Sequence, residues 1–307
     1  MTILDNHIPN ENPMVATIGF FDGVHLGHRF LISQVQEEAA RRGMSSMVVT
    51  FGDHPLKVIR EDFKPLLLNT PDEKLEQLAA TGVDSIAVLD FDKKQSQMSA
   101  HDFMEKILLD IYNVRVLLIG YDHHFGHNRE EGFDYYVRYG KEIGIEVLPA
   151  SPLQLDHADG MFPSSTIARK ALQEGDVEKA NMVLGYSYFI EGTVVGGFQN
   201  GRKLGFPTAN ISVNDEKLVP ATGVYFVKVG DADFGMLNIG TRPTLGNGSQ
   251  RSIEVNIFDF HENIYSQSLK IEFLKFIRHE KKFDNIEQLQ EQLENDEQVC
   301  RSLIRTL

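Results

Sequence analysis

The spacing of apolar residues changes near Gly185 and divides the chain into two kinds of fold. Before Gly185, apolar runs of strand length alternate with segments whose apolar residues recur every three or four positions. Strands that alternate with helices predict a parallel sheet with helices on both faces. After Gly185, short apolar runs follow one another between turn residues, which predicts a small antiparallel β-barrel. We therefore expect an α/β domain, residues 1–185, and a β domain, residues 186–307.

The first half is predicted to hold five strands with helices between them. The strands are 15–18, 46–51, 86–91, 114–119 and 145–148. The main helices are 30–42, one from Thr70 to Gly82, one that begins at 99–102, and 132–144.

The second half is predicted to form a barrel and a closing helix. The barrel strands are 188–195, 223–229, 235–239, 253–260 and 269–276. Seven residues mark the apolar face of the helix: Phe283, Ile286, Leu289, Leu293, Cys300, Leu303 and Leu307. Cys300 is the only cysteine, so an internal disulfide is excluded, and we interpret it as a small core residue rather than a nucleophile.

Between the first strand and the first helix, residues 19–28 place two histidines at a helix N-terminus. Backbone N–H groups and the positive end of the helix dipole gather there and attract phosphate. Gly23 and Gly27 leave room for a phosphate, and His25 and His28 can direct two donors at the same oxygens. This arrangement favours nucleotidyl transfer, in which positioning and charge stabilisation dominate. The alternative is a turn whose histidines only cap the helix.

Polar, glycine-rich loops follow the first, second and fourth predicted strands. Because ligands bind outside the carboxyl ends of parallel strands, we expect these loops to line one cleft. The loop 120–128 holds His123, His124 and His127, for which a metal cluster is the weaker interpretation, since they complete no familiar ligand spacing.

A second helix start, 163–166, carries three hydroxyl side chains, and Arg169 lies one turn later. Hydroxyl groups, unbonded backbone N–H groups and a guanidinium can together hold a triphosphate or a departing pyrophosphate. The alternative is that these hydroxyls only cap the helix.

The second half contains a dense motif, 196–210, in which glycines flank Arg202 and Lys203. The Gly-Lys-Ser/Thr of a P-loop is absent from it, but its backbone N–H groups can still wrap phosphates. Thr208 and Asn210 project to one face of an extended segment, and their oxygens suit Mg²⁺. The alternative is a glycine-rich hairpin.

A kinase that acts on an alcohol also needs a positioned base, and Glu254 is the candidate. It alternates with Ile253 and Val255, so its side chain faces the other way. The alternative is a solvent-facing residue of a strand.

Charge and hydropathy narrow the range of partners. The net charge of -14 argues against general affinity for nucleic acid, which depends on accumulated Lys and Arg. No apolar run approaches the ~20 residues of a membrane span, and the polar start 1–13 is unlike a signal peptide. With one cysteine, these features predict a cytoplasmic protein that binds neither nucleic acid nor membranes. They do not predict its oligomeric state.

From about Met14 to the C-terminus the chain resembles the bacterial bifunctional riboflavin kinase/FAD synthetases. The adenylyltransferase signatures of that family are matched by residues 19–28, 120–132 and 164–169. The kinase signature Gly-Arg-x-Leu-Gly-Phe-Pro-Thr-Ala-Asn is matched by 201–210, and later blocks by 238–244 with Glu254 and by 276–283. His-x-Gly-His alone also occurs in other adenylyl- and cytidylyltransferases, so the order of both signatures on one chain carries the resemblance.

The resemblance implies a Rossmann-like nucleotidyltransferase sheet in an FMN adenylyltransferase domain, 1–185, and a barrel with a closing helix in a riboflavin kinase domain, 186–307. Riboflavin and ATP would give FMN and ADP in the second domain. FMN and ATP would give FAD and pyrophosphate in the first, and Mg²⁺ would accompany ATP.

The resemblance also implies roles for individual residues. Glu254 would take the proton from the terminal ribityl hydroxyl of riboflavin. His25 and His28 would contact the ATP phosphates during adenylyl transfer, and Thr208 and Asn210 would bind MgATP. The nucleotide-binding residues would be Gly19, Asp22, Gly27, Ser165, Thr166, Arg169, Gly201, Lys203, Gly205 and Pro207. The flavin-binding residues would be Asp122, Asn128 and Arg278.

Three places depart from the family pattern. Ile167-Ala168 stands where Arg-Ile is usual, Asp53 replaces a proline, and Ser266 replaces a glycine. The first departure touches the predicted triphosphate site. It leaves open a riboflavin kinase whose N-terminal domain is an inactive, regulatory nucleotide-binding module. A non-catalytic flavin-sensing module is a third hypothesis.

Overall fold

The computed structural model describes residues 1–59, 62, 65–120, 125–126, 131–155, 160–197, 205–243 and 249–306. The chain forms two compact units, Met1–Ser165 and Thr166–Leu307. Among the described residues, we find no helix that is both long and apolar enough to cross a membrane.

The first unit is built on a six-stranded parallel sheet. Its strands are β1 (Thr2–Leu4), β2 (Met14–Ile18), β3 (Ser45–Phe51), β4 (Ser85–Leu89), β5 (Val114–Gly120) and β6 (Glu146–Ala150), in the spatial order β1-β4-β3-β2-β5-β6. Its helices are α1 (Leu26–Arg42), α2 (Pro55–Ile59), α3 (Pro71–Ala79), α4 (Lys93–Ser96), α5 (Ala100–Phe103), which continues as a π-helical segment (Met104–Leu109), and α6 (Phe133–Ile143). The predicted parallel sheet is confirmed.

Helices cover both faces of this sheet. Ala16 of β2 belongs to the core that includes Met104 and Tyr136, whereas its neighbour Val15 packs with Val35 of α1. Every residue of β2 is buried. Strands that are covered on both faces are continuous apolar runs, which is why the sequence predicts them well.

One strand of the sheet is not predicted by the sequence. β1 pairs in parallel with β4 at the edge of the sheet, through Thr2, Ile3 and Leu4. It is three residues long, and Ile3 is 54% exposed. A strand this short has no hydrophobic period to detect, so the predicted five strands become six. The other five lie within a few residues of their predicted bounds.

The second unit contains a closed antiparallel barrel and a closing helix, as predicted. Its strands are β7 (Phe189–Val195), β8 (Ala209–Val213), β9 (Gly223–Val229), β10 (Asp233–Pro243), β11 (Ser249–Ile257) and β12 (Ser268–Arg278), which close in the order β10-β11-β8-β7-β12-β9. Helices α7 (Ser165–Glu174) and α8 (Val177–Leu184) precede the barrel, and α9 (Ile286–Ile304) follows it.

Part of the barrel wall is buried on both its inner and its outer face. Leu237 and Val255 face each other on β10 and β11 and are almost fully buried. Phe226 and Met236, on the opposite face of β9 and β10, pack with Cys300 of α9. Leu237 and Val255 therefore point into the barrel, and α9 covers part of its outside.

Strand β8 begins at the end of the glycine-rich motif 196–210 and is a separate strand that the sequence does not predict. Along these two described strands, β8 meets β11 only where Ala209 faces Val255 and Asn210 faces Glu254. On its other side β8 pairs with β7 along 210–213. The short junction with β11 completes the barrel.

The Asn181 side chain joins helix α8 to the barrel through two hydrogen bonds. The Asn181 side-chain amide nitrogen donates to the Phe273 carbonyl at 2.8 Å, and its oxygen accepts from the Tyr188 N–H at 2.7 Å. The compact second unit consequently begins before residue 185. Whether the two activities divide at 185 is not tested by this packing, and that boundary stays a prediction.

The burial of Cys300 leads to a test of how α9 packs. Its side chain is fully buried, and burial, together with nearby Asp296 and Glu297, raises the pKa of the thiol to about 12. Because the thiolate is the reactive form, we expect no reaction of the native protein with a thiol-specific disulfide reagent at neutral pH, and full reaction in denaturant. The absorbance of the released reagent measures both. Rapid labelling of the native protein would contradict the packing of α9.

Candidate active sites

The turn between β2 and α1 has an unusual backbone. Phe21, Gly23 and Val24 have positive φ angles of 55°, 79° and 35°. Phe21 and Val24 are almost fully buried, and Val24 is β-branched. A non-glycine residue in this region costs about 1–3 kcal/mol, so the surrounding structure holds the turn against strain. Strain of this kind concentrates at functional sites.

His25 ends this turn and caps α1. Its backbone is extended, and its Nδ1 accepts from the backbone N–H of His28 at 3.3 Å. Because Nδ1 accepts, the neutral ring carries its proton on Nε2 and can donate from that side. In the part of α1 that the structure describes, the first turn has no acidic side chain. The positive end of the helix dipole is therefore not neutralised from within that turn. The structure confirms that His25 caps α1, and its contact with a nucleotide stays a prediction.

The two histidine rings lie against each other. Their centroids are 3.6 Å apart at an interplanar angle of 21°, and Phe21 contacts His28 edge-on at 5.0 Å. A Cβ at Gly27 would lie 3.1 Å from the His25 ring and 3.1 Å from the Pro163 carbonyl oxygen. Gly27 therefore allows both the ring and the segment before α7 to approach the helix start.

Asp22 and Ser165 tie this turn to the rest of the first unit. The Asp22 carboxylate is buried and accepts from the backbone N–H groups of Leu68 at 2.9 Å and Asn69 at 3.2 Å. The Ser165 hydroxyl donates to the Asp22 carbonyl oxygen at 2.8 Å. The structure thus places Ser165 beside the histidine turn. The contacts of Asp22 hold the backbone, and its nucleotide contact stays a prediction.

The other residues predicted for this site are distributed as follows. The Gly19 N–H donates to the Val49 carbonyl at 3.0 Å, which places Gly19 against the end of β3. Thr166 and Arg169 lie on α7, in the second compact unit. The remaining predicted residues, Asp122, Asn128 and the histidines 123, 124 and 127, lie outside the described residues.

A second site lies on the barrel, where β8, β10 and β11 bring three predicted residues together. Glu254 faces Asn210 on one side and Asn238 on the other. Directly facing residues of paired strands project to the same face. The Thr208 hydroxyl donates to the Glu254 carboxylate at 3.5 Å, and Asn210 is 9% exposed. Thr208, Asn210 and Glu254 therefore share one site, although Glu254 lies far along the chain from the other two.

One further residue of this site, Asn256, is absent from the sequence prediction. The buried Asn256 donates through its amide nitrogen to the Pro207 carbonyl at 2.7 Å and holds the segment before β8. A Cβ at Gly197 would overlap the Asn210 side-chain amide, whereas one at Gly196 would meet nothing within 4 Å. The sequence does hold a signal for Asn256: it lies two residues after Glu254, so in a strand both side chains project to the same face.

A cavity of about 660 Å³ adjoins the Thr208 side of this site. Its wall includes Thr208, Pro207, Ala209, Val255 and the loop 260–265. Ala209 and Val255 alternate with Asn210 and Glu254, so the cavity lies on the opposite face of the strands. Thr208 contacts both faces. Cavities of this size that are lined by both apolar and polar groups can hold small organic ligands.

The Arg278 side chain has hydrogen-bond partners within the second unit. Its guanidinium donates to the buried Asp296 carboxylate at 2.7 and 2.9 Å and to the His279 carbonyl at 3.0 Å. These contacts fasten the end of β12 to α9, and a flavin contact stays a prediction. Of the phosphate-wrapping residues, Gly205 and Pro207 lie just before β8, and Gly201 and Lys203 lie outside the described residues.

Known proteins that resemble the chain match both units. The FAD synthetase family model matches residues 7–164, and the riboflavin kinase family model matches residues 184–304. The bifunctional riboflavin kinase/FMN adenylyltransferase of Listeria monocytogenes is 37% identical over 298 residues, which cover 95% of this chain and 93% of the relative. Its counterpart in Bacillus subtilis is 38% identical over 301 residues, covering 92% and 90%.

One solved structure matches the fold along almost the whole chain. It is a crystal structure from Streptococcus pneumoniae, described as a macrolide-efflux protein, with a TM-score of 0.88. It is 31% identical in sequence and covers 98% of both chains.

The cap of α1 predicts the tautomer of His25. Since Nδ1 accepts from the His28 N–H, we expect the neutral ring to carry its proton on Nε2. Long-range ¹H–¹⁵N correlation spectra above pH 8 distinguish the two tautomers, and the spectrum of a His25→Gln variant assigns the signal. A proton found on Nδ1 of His25 would show that the cap is absent.

Proposed function

The chain belongs to the family of bifunctional riboflavin kinase/FMN adenylyltransferases, and we propose that its two halves divide the two reactions between them. The chain is an ATP-dependent transferase that acts on ATP, riboflavin and FMN. We assign adenylyl transfer to residues 1–185, which include the match to the FAD synthetase model. We assign riboflavin phosphorylation to residues 186–307, which include most of the match to the riboflavin kinase model.

The observation that carries the kinase assignment is the convergence of Thr208, Asn210 and Glu254 on one face of the barrel. Glu254 accepts the proton of the terminal ribityl hydroxyl of riboflavin. The resulting oxygen nucleophile bonds to the γ-phosphorus of ATP while the bond from that phosphorus to ADP breaks, which gives FMN and ADP. The Thr208 hydroxyl, which donates to the Glu254 carboxylate, holds the base in place.

The donor set of this site fits Mg²⁺. A hydroxyl oxygen from Thr208 and an amide oxygen from Asn210 are hard ligands, and Mg²⁺ takes few protein ligands beside phosphate and water. When bound with ATP, the ion neutralises phosphate charge. The backbone before β8, held by Asn256, keeps Thr208 and Asn210 in reach of the phosphates.

The cavity next to Thr208 holds the nucleoside of ATP. It lies on the face opposite Asn210 and Glu254, and Thr208 lies where the two faces meet. ATP bound there directs its phosphates past Thr208 towards Glu254. The acceptor alcohol then approaches from the face that bears Glu254, so the two substrates enter from different sides.

In the first unit, the turn 19–28 supports adenylyl transfer. A phosphate oxygen of FMN bonds to the α-phosphorus of ATP while the bond to pyrophosphate breaks, and no covalent protein intermediate is needed. His25 donates from Nε2, and His28 and the N-terminal N–H groups of α1 stabilise charge on the transferring phosphate. Ser165 lies beside this turn, and Thr166 and Arg169 are the proposed contacts of the triphosphate.

The alternative is a kinase whose first half only binds nucleotide, which the departure at Ile167-Ala168 suggests. The comparisons favour two activities, since the FAD synthetase model spans residues 7–164. We also propose a cytoplasmic location, because the only cysteine is buried in the core and a reducing compartment keeps it a thiol.

A single substitution in each site should greatly reduce one activity and leave the other. Glu254→Gln keeps the shape of the side chain but removes the base, so we expect FMN formation to fall by about 10²–10⁴-fold while FMN is still converted to FAD. His28→Ala should reduce FAD formation by roughly 10²–10³-fold and leave FMN formation intact. Chromatography of the flavins formed from riboflavin, or from FMN, with ATP and Mg²⁺ measures both. Full kinase activity of Glu254→Gln would refute its role as the base.

The contrast between two adjacent glycines tests the metal assignment. Gly197→Ala pushes the Asn210 amide out of place, so we expect kinase activity to need a higher Mg²⁺ concentration and to fall about tenfold or more at limiting Mg²⁺. Gly196→Ala is the matched control, because its methyl group meets nothing within 4 Å. Titrating Mg²⁺ against FMN formation in both variants decides the question. Equal Mg²⁺ dependence of the two would remove Asn210 from the metal site.

A further inference from the structure

Lys74, on the first turn of α3, is a nearly fully buried cation beside the turn 19–25. We propose that Lys74 is a positioning residue for adenylyl transfer: its ammonium fixes this turn against the loop that follows β3 and balances the carboxylates of both. The inference rests on the proposed function, which locates adenylyl transfer at that turn.

The Lys74 ammonium bridges the carboxyl ends of two neighbouring strands. Lys74 is 3% exposed, and its Nζ donates to the carbonyl of Phe51 at the end of β3 at 2.6 Å. The same Nζ lies 4.2 Å from the centroid of the Phe20 ring, in the turn after β2. The Phe20 ring in turn contacts His54 edge-on at 4.6 Å. One charge therefore contacts both loops at the edge of the sheet where parallel-sheet ligands bind.

The start of α3 is held rigidly, so the ammonium has a defined position. Thr70 caps the helix, and the Thr70 N–H donates to the Glu73 carboxylate at 2.8 Å while the Glu73 N–H donates to the Thr70 hydroxyl at 3.3 Å. The residues just before the helix donate to Asp22 of the turn. The turn and α3 are thus joined twice, once through Asp22 and once through Lys74.

Stability alone does not account for a lysine at this position. Burial removes the hydration of the ammonium, and the first turn of a helix repels positive charge. Burial is the main cause that lowers the pKa of Lys74 to about 8, and Asp22 and Asp53 act in the opposite direction. Among the described residues, the other charged or titratable groups near this junction include Lys57, which pairs with Asp53 at 2.9 Å, and His54, which contacts Phe20. They also include the buried Glu73 next to Lys74 and His28, whose ring contacts Phe21. The ammonium offsets two carboxylates that would otherwise repel incoming phosphates.

Protonation of Lys74 should have opposite effects on rate and on stability. Below pH 8 the ammonium is present and orders the turn, and as the pH rises above 8 the folded protein loses it, so adenylyl transfer should slow. Over the same range the unfolded chain keeps its proton up to the ordinary lysine pKa, so the contribution of Lys74 to stability rises with pH. A purely structural lysine would not slow the reaction while stabilising the fold.

The test compares Lys74→Met and Lys74→Arg with Lys106→Met. Lys106 pairs with Asp102 on the surface of the same unit and controls for the loss of a lysine. We would measure kcat and KM for conversion of FMN to FAD from pH 7 to 9.5 in the full chain, with riboflavin phosphorylation measured on each sample. We expect Lys74→Met to lower kcat/KM by about 10- to 100-fold at pH 7 and to remove the decline above pH 8. Lys74→Arg should keep most of the activity and extend it to higher pH.

The other outcomes are equally decisive. Activity of Lys74→Met within twofold of the parent, or an unchanged decline above pH 8, would overturn the inference. If Lys74→Met does not fold, the parent and Lys74→Arg compared at pH 9 decide it, because a retained guanidinium should abolish the decline. Failure of the parent to make FAD, or full activity of His28→Ala, would instead contradict the proposed function.

Discussion

Hydrogen bonding between strands that are distant in sequence is the interaction on which both sites depend. In the first unit, β2 pairs in parallel with β3 and β5, and this pairing brings the ends of three strands to one edge. In the second unit, antiparallel pairing brings Glu254 opposite Asn210. The polar groups at either site would be scattered along the chain without the apolar strands that carry them. The hydrophobic pattern that defines the fold therefore also determines where the chemistry occurs.

In the histidine turn, the structural role of His25 is compatible with the chemical role that we propose for it. By accepting the His28 N–H, Nδ1 of His25 stabilises the start of α1 and fixes the proton on the opposite nitrogen. Burial of Phe21 and Val24 supports a backbone that would otherwise be unfavourable. The turn is thus pre-organised before a nucleotide arrives, and the strain is balanced by packing rather than by the ligand. One nitrogen of the His25 imidazole caps the helix, and in the proposed function the other nitrogen donates to a phosphate.

The sequence predicts well what depends on local pattern and motif. The buried strands, the start of α3 at Thr70, the histidine turn and the pair Thr208 and Asn210 are all visible in the residues themselves. It cannot predict contacts that depend on tertiary packing. Glu254 alone is a strand residue with two possible faces, and its position depends on the register between β8 and β11. Lys74 is a charged residue that a sequence would place in solvent, and its burial against Phe20 and Phe51 has no local signal.

The short junction between β8 and β11 has a dynamic consequence for the kinase site. β10 and β11 face each other from Gly235 to Pro243, whereas the described residues of β8 pair with β11 at Ala209 and Asn210 alone. A closed barrel opens first where fewest backbone hydrogen bonds must break. Local opening of the second unit is therefore expected at the residues that we propose to hold MgATP and the base. A bound substrate that contacts both β8 and β11 would hold this junction closed. Substrate binding and local opening of the barrel would then depend on the same few backbone hydrogen bonds.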